Sequence, residues 1–211
     1  MSESVILLGG GGHAAVIAEA LRTMDISVSG IVAPTPPGGV LAGTRYLGGD
    51  AVLRSWSGER PRLVNGIGGT KPGGARRGAF EQFQRFEFLS VIHSGAIISP
   101  SVQLAAGCQV MAGAVIQPGT RIGVNALINT GACVDHDCVI GAHVHIAPRA
   151  VLSGGVTVDE GSHIGVGAVI LQGVRIGAGC LVAAGAVVIR DVADGAVVMG
   201  VPARPYREFS S

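Results

Sequence analysis

Every sixth residue from Ile92 to Val188 is Ile, Leu or Val, through Ile98, Leu104, Val110, Ile116 and onward without one insertion. A second register runs four positions on, and it holds small residues: Ala96, Val102, Cys108, Ala114, Thr120, Ala126 and so to Ala186. A hexapeptide repeat with one aliphatic and one small inward position is the signature of a parallel β-helix. Each hexapeptide is then one short strand and a turn, and three of them close a triangular coil. Coils stack at about 4.8 Å, the ordinary interstrand spacing. The unbroken register predicts a prism from which no long loop departs.

The chain has 35 glycines and 14% charged residues, a composition close to low complexity. The register argues against disorder, because it places the glycines at turns. Mean hydropathy is +0.51, yet no apolar run approaches the roughly 18 residues that span a bilayer. The N-terminus shows no basic segment and no cleavage pattern, so a cytoplasmic protein is expected. A net charge of +1 gives no reason to expect nucleic acid or an anionic membrane as partner. Cys108, Cys138 and Cys180 occupy small inward positions and read as buried hydrophobes. No metal-type cysteine pair is present.

Before Ile92 the pattern changes to β-α-β, which sets two domains, 1–91 and 92–211. Residues 5–8 read as a buried strand, Gly9 to His13 as a turn, and 14–22 as a helix. A second strand is expected over 27–33, ended by Pro34, Pro36 and Pro37. A third covers 62–66, followed by the turn Gly68-Gly69-Thr70, a helix over 78–83, and a lead into the prism over 86–92. This describes a small Rossmann-like domain of parallel strands, with its ligand beyond the strand ends. A glycine-rich turn entering a helix lets backbone amides approach phosphate. The acidic residue that reads the ribose of NAD is absent, because the second strand ends Ile31-Val32-Ala33-Pro34. A mononucleotide diphosphate is therefore the preferred ligand. Arg76 and Arg77 read as a solvated helix start or a diphosphate contact.

Five of the six histidines lie in the repeat segment. His145 and His163 are one coil apart and should stack. Two stacked histidines invite a zinc reading, but the sequence supplies no third ligand, so no metal is expected. His136 lies in Asn129-Thr130-Gly131-Ala132-Cys133-Val134-Asp135-His136-Asp137, two positions after an inward aliphatic and so near a corner. A neutral imidazole beside a carboxylate suits general-base work, because the carboxylate fixes the tautomer and stabilises the cation. Asp135 and Asp137 both flank it, and either one can be its partner.

The Gly-rich start with His13, the segment around His136 and the ending Gly200-Val201-Pro202-Ala203-Arg204 resemble the NeuD/PglD family of bacterial sugar acyltransferases. The similarity covers almost the whole chain. Within the family it is most similar to nucleotide-sugar N-acetyltransferases that act on GDP-perosamine or on a UDP-linked sugar of the bacillosamine pathway. The resemblance implies a left-handed β-helix, a homotrimer with active sites between subunits, and a place in O-antigen or lipopolysaccharide biosynthesis. It also implies transfer of acetyl from acetyl-CoA to the amino group of a nucleotide-linked 4-amino-4,6-dideoxy sugar.

By the same resemblance His136 is the base, Asp137 its orienting carboxylate, and the Gly154 amide the oxyanion donor. The family often carries Glu where Asp137 stands, which shortens the reach here. Gly11, Gly12 and His13 would contact the nucleotide sugar, with Gly68 and Gly69 near its phosphates and Asn129 in the acceptor pocket. His145 would sit near the thioester, Val166 and Ala184 along pantetheine, and Pro202 toward the adenine end. UDP-using relatives carry an acidic pair after the second strand, where this chain has Ala33-Pro34-Thr35. GDP-perosamine is the expected substrate; the alternatives are a UDP-linked 4-amino sugar or O-acetylation of a sialic-acid-like sugar.

Overall fold

The computed structural model describes residues 4–69, 72 and 74–206; Thr70, expected in a turn, lies outside them. The chain divides into two compact units, one of Met1–Gly69 with Gly74–Ser94, the other running from Gly95.

The first unit is a parallel sheet with strands in the order β3-β2-β1-β4: β1 Ser4–Leu8, β2 Ser27–Val32, β3 Tyr46–Gly48 and β4 Arg62–Asn65. Helix α1 (Gly12–Arg22) follows β1, α2 (Ala51–Arg54) follows β3, and α3 (Ala75–Gln82) follows β4. Val5, Leu7, Ile31, Leu63 and Val64 are fully buried in the sheet, and α1 buries Ala14, Ile17, Ala20 and Leu21 on one face. That i, i+3, i+6, i+7 spacing is the apolar stripe of an amphipathic helix. The proline run predicted as a break is followed by a short strand, β3, which the sequence pattern did not reveal. Its residues Tyr46, Leu47 and Gly48 show no period, and parallel pairing to β2 creates the strand. Helix α1 starts two residues earlier than expected, at Gly12, and α3 starts three earlier, at Ala75.

The second unit is a parallel β-solenoid. Its two-residue strands pair with strands 18 residues away, as in Cys133↔Val151 and Val139↔Thr157. One face runs from Ile97–Ile98 to Val187–Val188 and a second from Gln103–Leu104 to Arg175–Ile176. The third carries Leu127–Ile128, His145–Ile146, His163–Ile164 and Leu181–Val182. The aliphatic register fills the interior: Val110, Ile128, Ile146, Leu152 and Ile164 are all 0% exposed. Burial of each such side chain contributes about 1.5–3 kcal/mol. Cys108, Cys138 and Cys180 are buried in the small register. Where that register is polar the hydroxyl is used: Ser162 Oγ donates to the Gly177 carbonyl at 2.6 Å and accepts from the Cys180 amide at 2.9 Å. Thr120 bridges Asp135 and Cys138 in the same way.

After Val188 the register shortens. Leu181 pairs with Val197, and a final strand at Val197–Met199 turns back to pair antiparallel with Arg204–Pro205. Among the described residues no helix is long and apolar enough to cross a membrane.

Candidate functional site

The corner after strand Cys133–Val134 sets an imidazole between two carboxylates. From Leu104 to Val182 the third residue after each inward aliphatic adopts positive φ, and glycine fills most of those positions. Asp137 takes it instead, at φ 58°. This left-handed geometry is uncommon outside glycine, though Asp and Asn tolerate it best. It turns the Asp137 carboxylate back onto its neighbour, so that Oδ2 accepts from His136 Nδ1 at 2.8 Å. Asp135 acts on the backbone instead, where its Oδ1 accepts the His136 amide at 2.7 Å and holds the turn. Of the two flanking acids, Asp137 is therefore the imidazole partner.

A carboxylate only accepts, so the proton of neutral His136 resides on Nδ1 and Nε2 is left as the basic nitrogen. The Asp137 hydrogen bond raises the His136 pKa above its ordinary value. Residual desolvation opposes that rise, and the charges of Asp135 and Asp137 reinforce it. The ring lies directly over Gly154, one coil on. A Cβ built at Gly154 would meet His136 Cε1 and Nε2 at 2.5 Å, so only glycine leaves room for the imidazole there.

The backbone around Gly154 is also informative. Ser153 and Gly155 donate to the Ile170 and His136 carbonyls of adjacent coils. The Gly154 amide between them has no backbone acceptor among the described residues. Amides at this turn position point out of the ladder. At Thr130 and His136 they are capped by the preceding side chain, Asn129 and Asp135. At Gly154 the preceding Ser153 makes no such cap among the described residues, so a donor stands beside an imidazole base.

A second group lies at a different corner of the solenoid. Asn129 Nδ2 donates to His145 Nε2 at 3.1 Å, and the His145 and His163 rings meet edge to face with centroids 4.7 Å apart. The predicted stacking of these histidines is thus present. Burial lowers the His163 pKa and keeps it neutral, and its Nδ1 has no hydrogen-bond partner among the described residues. No group of three or more His, Cys, Asp or Glu is placed to hold a metal among the described residues. Within one chain, then, His136, Asp137 and Gly154 come together, while Asn129 and His145 belong to another edge. Val166 is exposed on a turn, and Pro202 lies in the exposed C-terminal turn after a cis Val201–Pro202 bond. Ala184 occupies a turn position equivalent to Val166, one coil on.

In the first unit, Gly11 is the N-cap of α1 with no side-chain cap, and the first turn has no acidic residue. By helix geometry the first-turn amides lack acceptors within the helix, which favours an anion there. Gly68 packs beside His13, where a Cβ would lie 3.3 Å from His13 Cβ. Residues 9–13 and 66–69 are therefore adjacent loops at the C-terminal ends of β1 and β4. Gly66, which no sequence motif singles out, makes this possible: a Cβ there would meet the Leu8 carbonyl at 2.7 Å and Ala14 Cβ at 3.0 Å.

Arg76 corrects both sequence expectations. It is 6% exposed, its Nη1 donates to the Asn65 and Ile67 carbonyls, and Asn65 Nδ2 donates to the Arg76 carbonyl. It is a buried strut that ties α3 to the end of β4, neither a solvated helix start nor a diphosphate ligand. Arg77 pairs with Glu81 on the surface at 2.7 Å.

No protein-family model matches the chain, and none of the curated proteins does. Solved structures do. A histidine-to-asparagine variant of perosamine N-acetyltransferase from Caulobacter crescentus, in complex with CoA and GDP-perosamine, is 40% identical. That similarity covers 97% of each chain with a TM-score of 0.88. The acetyltransferase domain of PglB from Neisseria gonorrhoeae, in complex with acetyl coenzyme A, is 35% identical over 98% of this chain and 100% of that one, with a TM-score of 0.87. WeeI from Acinetobacter baumannii shares the fold at 24% identity and a TM-score of 0.82.

Proposed function

Since the chain belongs to the NeuD/PglD family of hexapeptide-repeat sugar acetyltransferases, and is an acetyl-CoA-dependent sugar N-acetyltransferase, we propose that it acetylates the 4-amino group of GDP-perosamine. The observation that carries the mechanism is the hydrogen bond from His136 to Asp137 with Nε2 set over Gly154. The sugar amine attacks the thioester carbonyl, and His136 Nε2 accepts the proton that the amine loses. Asp137 stabilises the resulting imidazolium. The Gly154 amide donates to the oxyanion; on collapse the C–S bond breaks and CoA leaves as the thiolate. A positioned base contributes about 10²–10⁴ in rate, and one oxyanion donor about 3–4 kcal/mol.

The nucleotide diphosphate falls to the Rossmann-like α/β unit, at Gly11, Gly12 and His13 with Gly68 and Gly69 beside them. Acetyl-CoA falls to the solenoid, with Val166, Ala184 and Pro202 as its contacts. GDP is favoured by the relative bound to GDP-perosamine and by Ala33-Pro34-Thr35 in place of an acidic pair.

We further read the enzyme as a left-handed solenoid trimer. One face supports this: its outward column is Ile97, Val115, Cys133, Val151, Val169 and Val187, apolar throughout. Ile97 is 67% exposed and Val151 39%, an apolar stripe of the kind that marks an interface. The separation of Asn129 and His145 from His136 points the same way, because a neighbouring subunit would complete the site.

The test is thiol release from acetyl-CoA by purified protein, with GDP-perosamine beside a UDP-linked 4-amino sugar. Turnover with the GDP sugar alone is expected. Turnover with the UDP sugar alone would overturn the base assignment, and silence with both would overturn the acceptor class.

A further inference from the structure

The α/β unit contains a cavity of about 470 Å³ lined by Leu8, Val32, Ala33, Pro34, Ile67 and Phe83, with Asp50 and Gln82 as polar groups on its wall. Its volume falls within the range of small-ligand sites, and such sites join apolar walls to a few placed polar groups. Gly9 also lines it, so the cavity adjoins the glycine turn that leads into α1. A nucleotide whose phosphates meet that helix start has its base within reach of the slot.

Asp50 lies two residues beyond β3, the strand that pairs with β2, at the N-cap of α2. Gln82 Nε2 donates to its Oδ2 at 3.3 Å, which holds the carboxylate at the cavity and leaves lone pairs on both oxygens. Its other neighbour, Arg54, is 3.7 Å away in an exposed i, i+4 pair, weak enough for a ligand to displace.

We infer that this slot is the base subsite and that Asp50 selects guanine, its carboxylate accepting the N1–H and the exocyclic N2–H of the base. The inference rests on the nucleotide-sugar reading above and adds the group that sets its base. Guanine offers two adjacent donors, which a carboxylate takes as a bidentate, charge-assisted pair. Uracil offers a single N3–H flanked by two carbonyl oxygens, and both of these face the carboxylate with repulsion. The apolar walls accept the planar rings of either base, so Asp50 is the discriminating group.

Titration calorimetry of the full chain with GDP, IDP and UDP, for the wild type and D50N, tests this. IDP lacks only the exocyclic amine. The wild type should bind GDP about 10-fold or more tighter than IDP, the worth of one hydrogen bond to a charged group. D50N should weaken GDP by about 10- to 100-fold and erase its lead over IDP, with UDP unchanged or bound more tightly because the repulsion is relieved. Equal weakening of GDP and UDP would overturn the inference and move Asp50 to the ribose. Unchanged GDP binding by D50N would remove Asp50 from the subsite while the nucleotide reading stands. Failure of the wild type to bind all three would sink that reading, and this inference with it.

Discussion

The two units present chemistry by opposite means. In the α/β unit the proposed phosphate contacts are backbone amides at strand ends, where glycines make them accessible, and one carboxylate, Asp50, stands at the cavity beside them. In the solenoid the proposed catalytic groups are the His136 and Asp137 side chains beside the Gly154 amide, and the repeating backbone serves as their mount. The difference predicts how each unit fails. A side chain on a regular mount can be removed without disturbing the mount, whereas a loop built on close backbone approach resists even one added methyl.

The largest contrast should come from H136A. Turnover is expected to fall about 10²–10⁴-fold, with the circular dichroism and oligomeric state of the wild type retained. Wild-type-like turnover would remove His136 from the mechanism. Truncation inside the mount reads the reverse way: Ile146→Ala should destabilise by about 2–5 kcal/mol, seen as a lower melting temperature, with kcat per folded enzyme little changed. G154A tests whether the mount also shapes the site. Its methyl would displace the His136 ring, and a shift of that order costs about 10²-fold in kcat; an unchanged kcat would mean that the ring has freedom to move.

In the α/β unit, G66A should act on stability and on KM for the nucleotide sugar before kcat, because its Cβ would clash with Leu8 and Ala14. A fall in kcat with unchanged KM would break the comparison. The smallest effect is on stability at Asp137. D137G relieves a left-handed non-glycine residue and should raise stability by about 0.5–1 kcal/mol while lowering turnover. The pH profile isolates the carboxylate. His136 must be neutral to accept a proton, so kcat/KM should fall as pH drops through its raised pKa. D137N removes the group that raises it, so that acidic limb should move to lower pH.

The solenoid was legible because each residue's partner is fixed by the repeat. Ile146 must stack on Ile128 and Ile164 wherever the chain goes, and His145 on His163, so a count of six places both. His136 was legible for the same reason, since its distance from an inward aliphatic put it at a corner. The identity of its partner acid was not. That choice depends on the φ of residue 137, which a turn preference alone leaves open between Asp135 and Asp137. In the α/β unit the short strand Tyr46–Gly48 and the buried Arg76 were not legible either. Neither has a periodic neighbour, and each owes its state to a surface that meets it from elsewhere in the chain.

The sequence by itself determined the architecture of the repeat, the two-unit order and the place of His136 at a corner between two acids. All of these follow from spacing along the chain, because the packing of a solenoid is local and recurs every coil. Only the tertiary structure decided which acid holds His136, that Arg76 is a strut, and that Asp50 stands at a cavity beside Ala33 and Pro34. Those contacts join residues whose separation follows no period. They are set by which faces of the sheet and its helices bury one another.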